Sequence, residues 1–275
     1  MNNYHTHTYR CKHASGDVSD YVRAARLAGL GELGLSDHVP MPDGRWPENR
    51  MEMDQLGGYL AAVETARLAE EARTESEGRL RILCGLECEW GPELDSYLRE
   101  ELAGRLCVAY FVSGTHYYLK SGAWQDVYAL DSASGLVAYA RHFERSLASG
   151  LFSFAAHPDL FCLGYLPWDD DARSCARDVL AAAETLRIPL EINGYGMRKP
   201  RVTFDGASRW PYPRQEFWDL AAGYDIEVLV NSDAHRPIDT AAGLESGREM
   251  AKSRGLRLVE TIGRRKPDSR VRTGS

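Results

Sequence analysis

Short apolar runs alternate along the chain with longer segments in which apolar residues recur at helical spacing. The apolar runs predict seven strands, at 4–7, 32–38, 81–90, 108–117, 152–157, 189–193 and 226–235. The longer segments predict helices from about 19 to Gly29 and near 51–75, 93–104, 133–149, 170–186, 213–223 and 240–254. Strands that alternate with helices are typical of βα units arranged around a parallel sheet.

The chain shows no composition break, internal repeat or low-complexity segment that would mark a second domain. We therefore expect one α/β barrel domain over 1–262, with a short edge strand at 257–262. The tail, 263–275, carries five basic residues and no apolar period. We expect this tail to be disordered.

Seven of the eight histidines fall at or just after the carboxyl ends of predicted strands. They are His5, His7, His13, His38, His116, His157 and His235. In a parallel βα barrel these strand ends converge on one face, where active sites are built. The sequence therefore predicts that residues far apart along the chain meet in one place. The eighth histidine, His142, lies inside a helical pattern and is expected to be a surface or partly buried helix residue.

The local spacings agree with metal binding, because side chains at positions i and i+2 of a strand point to the same side. His5 and His7 can therefore present two imidazoles to one ion. Asp233 and His235 can present a carboxylate and an imidazole together. Glu87 ends the third predicted strand, where its carboxylate could bridge two ions. Mixed imidazole and carboxylate ligands favour zinc, iron or manganese over calcium and magnesium, which prefer oxygen.

Each of these elements also has an ordinary structural interpretation. An isolated His-x-His pair is a weak signal, and the Asp37-His38 and Ser-Asp-Ala-His runs could each cap a helix. His116 or His157 alone could be a hydrogen-bonded core histidine. Glu87 could pair with an arginine, since an unpaired acid inside a core is costly. These explanations would require every candidate to reach one barrel face by accident, so the set as a whole favours a metal site.

The charge balance limits the partners. The chain has 33 Lys+Arg against 40 Asp+Glu, a net charge of -7. An acidic surface repels phosphate backbones, so we expect no nucleic-acid polymer as a partner. The first residues show no signal-peptide pattern, and no apolar run approaches the ~20 residues of a membrane span. We expect a cytoplasmic protein that binds no membrane, and the oligomeric state is left open.

The six cysteines form no Cys-x-x-Cys pair. In a chain of this size without a signal peptide they are expected to be reduced thiols. Cys11 lies among the N-terminal histidines and is a candidate ligand, although an inert buried thiol is the commoner interpretation.

The residues that carry this chemistry form seven short motifs. In chain order these are His5-Thr6-His7-Thr8, His13-Ala14-Ser15-Gly16, Ser36-Asp37-His38, Gly85-Leu86-Glu87, Gly114-Thr115-His116, Ala156-His157-Pro158-Asp159 and Ser232-Asp233-Ala234-His235. In type and order the motifs resemble those of the PHP (polymerase and histidinol phosphatase) family. The resemblance covers roughly 4–245 and implies a distorted TIM-like barrel of seven βα units, with the metal site at the carboxyl ends of the strands.

The resemblance also implies a ligand set with no position missing. The three ions would be held by His5, His7, Glu87 and Asp233; by Glu87, His116 and His157; and by His13, His38 and His235. Two or three divalent ions, of zinc, manganese or iron, are the expected cofactors.

Within the family, the chain most resembles the histidinol-phosphate phosphatase branch, on the segments 9–14, 36–40 and 191–199 and on Tyr212-Pro213. This resemblance implies hydrolysis of L-histidinol phosphate to L-histidinol and phosphate, in histidine biosynthesis. It places a phosphate-binding arginine at Arg198, for which a surface arginine is the alternative. His38 and His235 are also expected beside the substrate. The loop 163–171, with Trp168 and three aspartates, matches no segment of that branch.

The expected mechanism follows from charge. Three divalent ions would bring six positive charges against two negative ones on Glu87 and Asp233, which favours a phosphate monoester dianion. The ions would lower the pKa of a bridging water from ~15.7 towards ~7 and make it a nucleophile for attack on phosphorus. Arg198 would add bidentate donors. Asp159 or a metal-bound water would protonate the leaving oxygen, and Asp37 would orient ligand imidazoles.

Three other functions fit parts of the pattern. An amidohydrolase-type enzyme also uses His-x-His on a barrel, but such enzymes often bridge their metals with a modified lysine, and no lysine ends a predicted strand. A PHP phosphoesterase acting on nucleotides or another small phosphoester is compatible with the acidic charge, whereas long nucleic acids are not. A non-catalytic metal-binding module would be expected to have lost some of the ligands.

Overall fold

The computed structural model describes residues 1–74 and 78–263. Within these residues the strands are β1 Asn2–Asn3, β2 Glu32–Leu35, β3 Arg81–Cys88, β4 Tyr110–Ser113, β5 Tyr117–Lys120, β6 Ala123–Asp126, β7 Phe154–Ala155, β8 Leu190–Asn193, β9 Val202–Phe204, β10 Ala207–Arg209, β11 Glu227–Asn231 and β12 Arg257–Leu258. The helices are α1 Val18–Leu27, α2 Leu56–Glu71, α3 Ala133–Ala148, α4 Phe161–Gly164, α5 Asp170–Leu186, α6 Gln215–Ala221 and α7 Leu244–Ser253. A π-helical segment spans Tyr97–Arg105, and 3₁₀ turns span Tyr9–Cys11, Met53–Gln55, Val127–Ala129, Gly196–Arg198 and Pro237–Asp239.

Eight of these strands form one parallel sheet in the described part of the chain, in the order β1-β2-β3-β4-β7-β8-β11-β12. The segments that follow β1 and β11 also lie side by side, because Thr6 forms an isolated parallel bridge with Ala234. The amide of His7 also donates to the carbonyl of Ala234 at 2.9 Å. The sheet is therefore curled like part of a barrel, with β12 at its edge. The predicted α/β class and parallel sheet are confirmed.

Two apolar clusters hold the sheet in place. The larger one joins the outer face of the sheet to the helices and includes the fully buried Tyr21 of α1 and Tyr59 of α2. The smaller one contains residues of strands and their continuations, among them Tyr110 of β4. The Tyr110 side chain lies so close to Gly34 and Gly85 that an added Cβ would come within 2.1 Å of its hydroxyl at Gly34 and within 2.3 Å of its ring at Gly85. These two glycines therefore let neighbouring strands pack around one large side chain.

Capping residues explain where helices begin. Asp17 caps α1 in a capping box, and Asp169 caps α5 by accepting from the Ala172 amide at 3.0 Å. Asp169 belongs to the loop 163–171, which the family pattern left unmatched. Trp168 of that loop packs against Arg214, whose guanidinium lies 4.8 Å from the centre of the Trp168 ring. Helix capping and packing thus account for part of this loop.

The strand predicted at 108–117 is divided in the structure. β4 ends at Ser113, and Tyr117 begins β5 in the β5–β6 hairpin. Between them Thr115 has a positive φ of 47°. At Gly114 an added Cβ would lie 2.8 Å from the His116 imidazole, so only glycine fits there without displacing the ring. His116 therefore lies in a loop after β4 and not inside a strand.

Other boundaries differ by a few residues. The first strand pairs regularly with β2 only at Asn2–Asn3. The predicted segment 4–7 is held by separate hydrogen bonds, such as the one that the Tyr4 amide donates to the Asn231 side chain at 2.8 Å. The helix predicted at 51–75 begins at Leu56 because the residues before it form a 3₁₀ turn. The hairpins β5–β6 and β9–β10 were absent from the prediction.

The predicted tail at 263–275 lies, apart from Gly263, outside the described residues. In the part of the chain that the structure describes, no helix is both long enough and apolar enough to cross a membrane.

Candidate metal centre

The nine side chains singled out as metal ligands meet at one end of the parallel sheet. They lie after β1 (His5, His7 and His13), β2 (His38), β4 (His116), β7 (His157) and β11 (Asp233 and His235), with Glu87 inside β3. Seven of the nine are buried, whereas His116 is half-buried and His13 is exposed. The parallel direction of the strands brings these ends together, although the residues are spread over most of the chain.

Glu87 is the centre of the group. Its two carboxylate oxygens lie 3.1–3.7 Å from five imidazole nitrogens. Oε2 faces His5, His7 and His38, and Oε1 faces His116 and His157. A carboxylate that turns each oxygen towards a different set of imidazoles is suited to bridging two ions.

The first ligand group consists of His5, His7, Glu87 and Asp233. The Nε2 atoms of the two histidines lie 3.1–3.5 Å from Glu87 Oε2 and Asp233 Oδ1. Ligands bound tetrahedrally to one ion at ~2.0–2.1 Å lie about 3.4 Å from one another. The spacing of these four atoms therefore fits a divalent ion between them.

These four ligand atoms are also buried and form no hydrogen bond within the described residues. Buried polar atoms without partners are rare, because each one costs free energy. An ion at their centre would satisfy all four at once. The donor set thus fits a metal ion better than it fits a packed protein core.

The charges of this group point the same way. Burial raises the pKa of Glu87, but the neighbouring histidines, led by His5, outweigh it and hold that pKa well below its usual value. The same balance keeps the pKa of Asp233 well below its usual value. Both carboxylates are therefore ionised at neutral pH and attract a cation.

The second ligand group contains Glu87, His116 and His157. Glu87 Oε1 lies 3.1 Å from His157 Nε2 and 3.7 Å from His116 Nε2. Glu89 fixes one ring, because its Oε1 lies 2.8 Å from His116 Nδ1 and leaves Nε2 free to face Glu87. Arg50 in turn donates to Glu89 at 2.9 Å. Sequence reasoning missed the role of Glu89, although its position two residues after Glu87 was an available signal.

The third ligand group is built on His13 and His235. The Nδ1 atoms of their rings lie 2.7 Å from the Cys11 carbonyl and 3.1 Å from the Asp233 carbonyl. Carbonyls only accept, so each Nδ1 donates and each Nε2 keeps its lone pair. The two Nε2 atoms lie 3.0 Å apart. Two lone pairs that face each other at this distance favour a cation between them.

His38 lies between the third group and Glu87. Its Nδ1 is 3.1 Å from Glu87 Oε2, and its ring centre is 5.4 Å from that of His13. Ligand atoms of His7, His38 and His235 also lie within 4.8 Å of one another. Burial holds the pKa of His38 and of His235 well below the usual value. Both rings are therefore neutral at pH 7, the form that binds metals.

Backbone strain marks two of these positions. His157 has a φ of 30° and Asp233 a φ of 47°, in the left-handed region that non-glycine residues rarely adopt. Such conformations cost of order 1–3 kcal/mol and are concentrated at functional sites. The strain aims both side chains at the ligand groups.

Glu191 of β8 is a second residue that sequence reasoning left without a role. Its fully buried carboxylate lies 2.9 Å from His5 Nδ1 and accepts from the side chains of Asn193 and Asn231 at 2.7 and 2.9 Å. It also accepts from the His157 amide at 3.1 Å. Glu191 thus fixes the ring of one proposed ligand and the backbone of another. We regard it as a positioning residue.

Glu191→Gln is expected to weaken metal binding by about 10- to 100-fold, because the neutral amide holds His5 less firmly. The measurement is a metal titration of protein from which metal has been removed with a chelator, with circular dichroism to verify folding. Glu100→Gln, on an exposed glutamate, is the matched control. A folded Glu191→Gln protein that binds metal as tightly as the parent would contradict this role.

The two other residues with predicted catalytic roles form hydrogen bonds with the protein itself. The Arg198 guanidinium donates to the carbonyls of Ser232 and Ala242 at 2.9 and 3.0 Å. Asp159 is fully buried and accepts from the Arg214 amide at 2.5 Å. Burial raises its pKa to about 6, although that amide acts in the opposite direction. Neither Arg198 nor Asp159 lines the cavity beside the ligand groups.

That cavity has a volume of about 270 Å³ and opens directly onto the ligand groups. Its lining includes two cationic side chains, Arg50 and Lys199, which sequence reasoning did not single out. Sequence reasoning could not identify them as cavity residues, because single basic residues in loops form no pattern along the chain. The space fits a small molecule.

The remaining sequence candidates can also be located. Cys11 is buried, and its sulfur is grouped with ligand atoms of His13 and His235 within 4.8 Å. Burial raises its pKa and keeps the thiol protonated. Asp37 Oδ1 lies 3.6 Å from His7 Nδ1, beside the ring that it was expected to orient. His142 is buried in α3, and its pKa is lowered by burial to about 4, as suits a neutral core histidine.

Comparison with known proteins identifies the family. The PHP domain model matches residues 3–194, more than half of the chain. A protein of Deinococcus radiodurans named "Probable histidinol-phosphatase" is 32% identical over 244 residues, which cover 85% of each chain. The chain belongs to the PHP family, and the resemblance seen in the sequence is confirmed.

Two solved structures share the fold. A proposed histidinol phosphatase of Listeria monocytogenes has a TM-score of 0.70 and 18% identity, over 90% of this chain and 99% of that one. The histidinol phosphate phosphatase of Lactococcus lactis, in complex with zinc, L-histidinol and phosphate, has a TM-score of 0.67 and 15% identity. That match covers 95% of this chain and 96% of the other.

Proposed function

We propose that this protein is a metal-dependent phosphomonoesterase that hydrolyses L-histidinol phosphate to L-histidinol and inorganic phosphate, a step of histidine biosynthesis. The observation that carries the proposal is the meeting of nine ligand-type side chains at one end of the sheet, seven of which line one cavity, in a chain of the PHP family. The substrate is supported by the name of the Deinococcus relative and by the histidinol and phosphate bound to the Lactococcus neighbour.

Two or three divalent ions are proposed as cofactors. The three ligand groups described above would hold them, with Glu87 shared between the first and the second. Zinc is supported by the donor types and by the zinc in the Lactococcus neighbour, and manganese and iron suit the same donors. When bound, such ions supply an activated water and neutralise the charge of the phosphoryl group.

The proposed architecture is a distorted barrel of seven βα units over 1–262, with the ions at the carboxyl ends of its strands. The parallel bridge between Thr6 and Ala234 supports closure between the first and seventh units. Strand β12 would then lie outside the ring, beside β11.

The chain's own residues bind and orient the substrate in this proposal. Lys199 lines the cavity with its Nζ 4.4 Å from the centre of the Tyr195 ring, and no carboxylate of the described residues pairs with it. We assign Lys199 to the substrate phosphate. Arg50 also lines the cavity, but its charge is shared with Glu89. The phosphate contact of Arg198 and the acid role of Asp159 stay predictions.

Phosphate release from L-histidinol phosphate by metal-analysed protein tests the proposal. Nucleotides and other monoesters form the comparison panel, and His7→Ala serves as the inactive variant. We expect the fastest turnover with L-histidinol phosphate and its loss in His7→Ala. Turnover of nucleotides alone would keep the metal site and overturn the substrate, whereas bound metal without turnover of any phosphoester would favour a binding module.

A further inference from the structure

The cavity has a side that neither the ligand groups nor Lys199 occupies. It is formed by Glu48, Asn49 and Asp126, which we name the acidic wall. Tyr117 connects its parts, because its backbone pairs with Asp126 in the β5–β6 hairpin and its hydroxyl accepts from Asn49 Nδ2 at 3.4 Å. The ring of Tyr117 is itself stacked on Trp46 at 3.9 Å. Two aromatic residues therefore hold Asn49 and Asp126 of this wall in place.

The acceptors of the acidic wall have spare capacity. Asp126 accepts one hydrogen bond, from the Tyr128 amide at 2.8 Å, and forms no ion pair with residues in 1–74 or 78–263. Glu48 forms no ion pair with these residues either. The Oδ1 atom of Asn49 is buried, and it accepts no hydrogen bond from them. Two carboxylates without an ion pair among the described residues thus line the cavity, beside an amide oxygen that accepts no hydrogen bond from these residues.

The two ends of the cavity differ in charge. Lys199 lies on the side of the third ligand group, since the Tyr195 ring beneath it stacks on His235 at 4.5 Å. The acidic wall lies on the side of the second group, since the Val127 amide, next to Asp126, donates to the His116 carbonyl at 2.9 Å. A ligand that spans the cavity meets the unpaired charge of Lys199 at one end. At the other end it meets two carboxylates together with Arg50, whose charge is shared with Glu89.

We propose that the acidic wall binds the ammonium group of the substrate and so selects phosphate esters of amino alcohols over uncharged esters. This inference rests on the proposed function, because L-histidinol phosphate carries an ammonium on the carbon next to its ester carbon. An ammonium donates three hydrogen bonds, and the wall offers the carboxylates of Glu48 and Asp126 as acceptors, with the Asn49 side chain beside them. Opposite charges at the two ends also fix the direction in which the substrate lies.

The test compares L-histidinol phosphate with the analogue in which hydrogen replaces the amino group. Parent protein, Asp126→Asn, Glu48→Gln and the double variant are assayed, with Asp131→Asn, at an exposed acid outside the cavity, as the matched control. We expect the preference of the parent for the amino ester, as a ratio of kcat/KM, to fall about tenfold in the double variant, mainly through KM. Asp131→Asn should keep the preference.

Product inhibition provides a second readout. The inhibition constant of L-histidinol should rise in the double variant, whereas that of inorganic phosphate should not, because removing negative charge does not weaken anion binding. Raising salt from about 0.05 M to about 0.5 M should reduce the preference of the parent and leave that of the double variant nearly constant. Metal content and circular dichroism verify that the variants are intact.

The outcomes separate the two proposals. A parent protein that hydrolyses L-histidinol phosphate, with a double variant that keeps the full preference, overturns the acidic wall and leaves the proposed function standing. Weaker binding of both L-histidinol and phosphate in the double variant also overturns it, because that result indicates a general defect. A parent protein that releases phosphate from neither ester overturns the proposed function and the inference together.

Discussion

Glu87→Gln is expected to lower kcat/KM for phosphate release by about a thousandfold, equivalent to ~4 kcal/mol of lost transition-state stabilisation. Glu87 lies within 3.1–3.7 Å of five imidazoles and is the residue shared by two ligand groups. The substitution replaces one oxygen by an NH₂ group, which cannot bind an ion, and removes the negative charge. The loss should therefore affect both ions that Glu87 is proposed to bridge.

The measurement combines steady-state phosphate release with the metal content per chain. We expect Glu87→Gln to retain at least one ion fewer than the parent protein, while the far-ultraviolet circular dichroism is preserved. Glu144→Gln, at an exposed glutamate of α3, is the matched control and should behave as the parent does. If Glu87→Gln kept the full metal content and activity within tenfold of the parent, Glu87 would not be the bridge.

Removal of the ions is expected to abolish phosphate release and to lower the melting temperature by about 10 °C. Ions whose free concentration is about a thousand times their dissociation constant stabilise the folded chain by ~4 kcal/mol. A stabilisation of ~1 kcal/mol shifts the melting temperature of a chain of this size by about 2–4 °C. The physical reason is the set of buried atoms left without partners, among them Glu87 Oε2 and Asp233 Oδ1.

Dialysis against a chelator, followed by separate addition of zinc, manganese and iron(II), gives the comparison. Each ion that restores activity should also restore the melting temperature, because the same ligand groups serve both. His7→Ala, which lacks a ligand of the first group, should show a smaller shift on chelation. A chelated protein that kept both its activity and its melting temperature would show that the ligand groups hold no ion that matters.

Most elements of the sheet were predictable because strand and helix periods are local properties of the sequence. The order of seven strands and an edge strand follows from apolar runs of a few residues, and it agrees with the observed parallel sheet. The fourth strand was wrongly predicted as one continuous run, because the turn at Gly114 and Thr115 that ends it depends on the position of the His116 ring. That contact belongs to the folded site and leaves no period in the chain.

The ligand-type residues of the candidate site could also be predicted from the sequence. The nine ligand-type residues could be listed because parallel strands must deliver their carboxyl ends to one face, so position along a strand was sufficient. Arg198 and Asp159 were given roles by motif, and these roles stay predictions, because both side chains form hydrogen bonds with the protein itself and neither belongs to the cavity lining. A motif fixes the type of residue but not the direction in which a long or buried side chain points.

The sequence by itself determined the class of fold, the ligand types and their order, because each of these depends on short-range spacing along strands. Only the tertiary structure decided which groups surround the ligands. Glu191 reaches His5 across 186 positions of the chain, at 2.9 Å. The acidic wall likewise brings the loop at Glu48 to the hairpin at Asp126. Such contacts are made by packing between distant segments, and no local pattern of hydrophobic and polar residues encodes them.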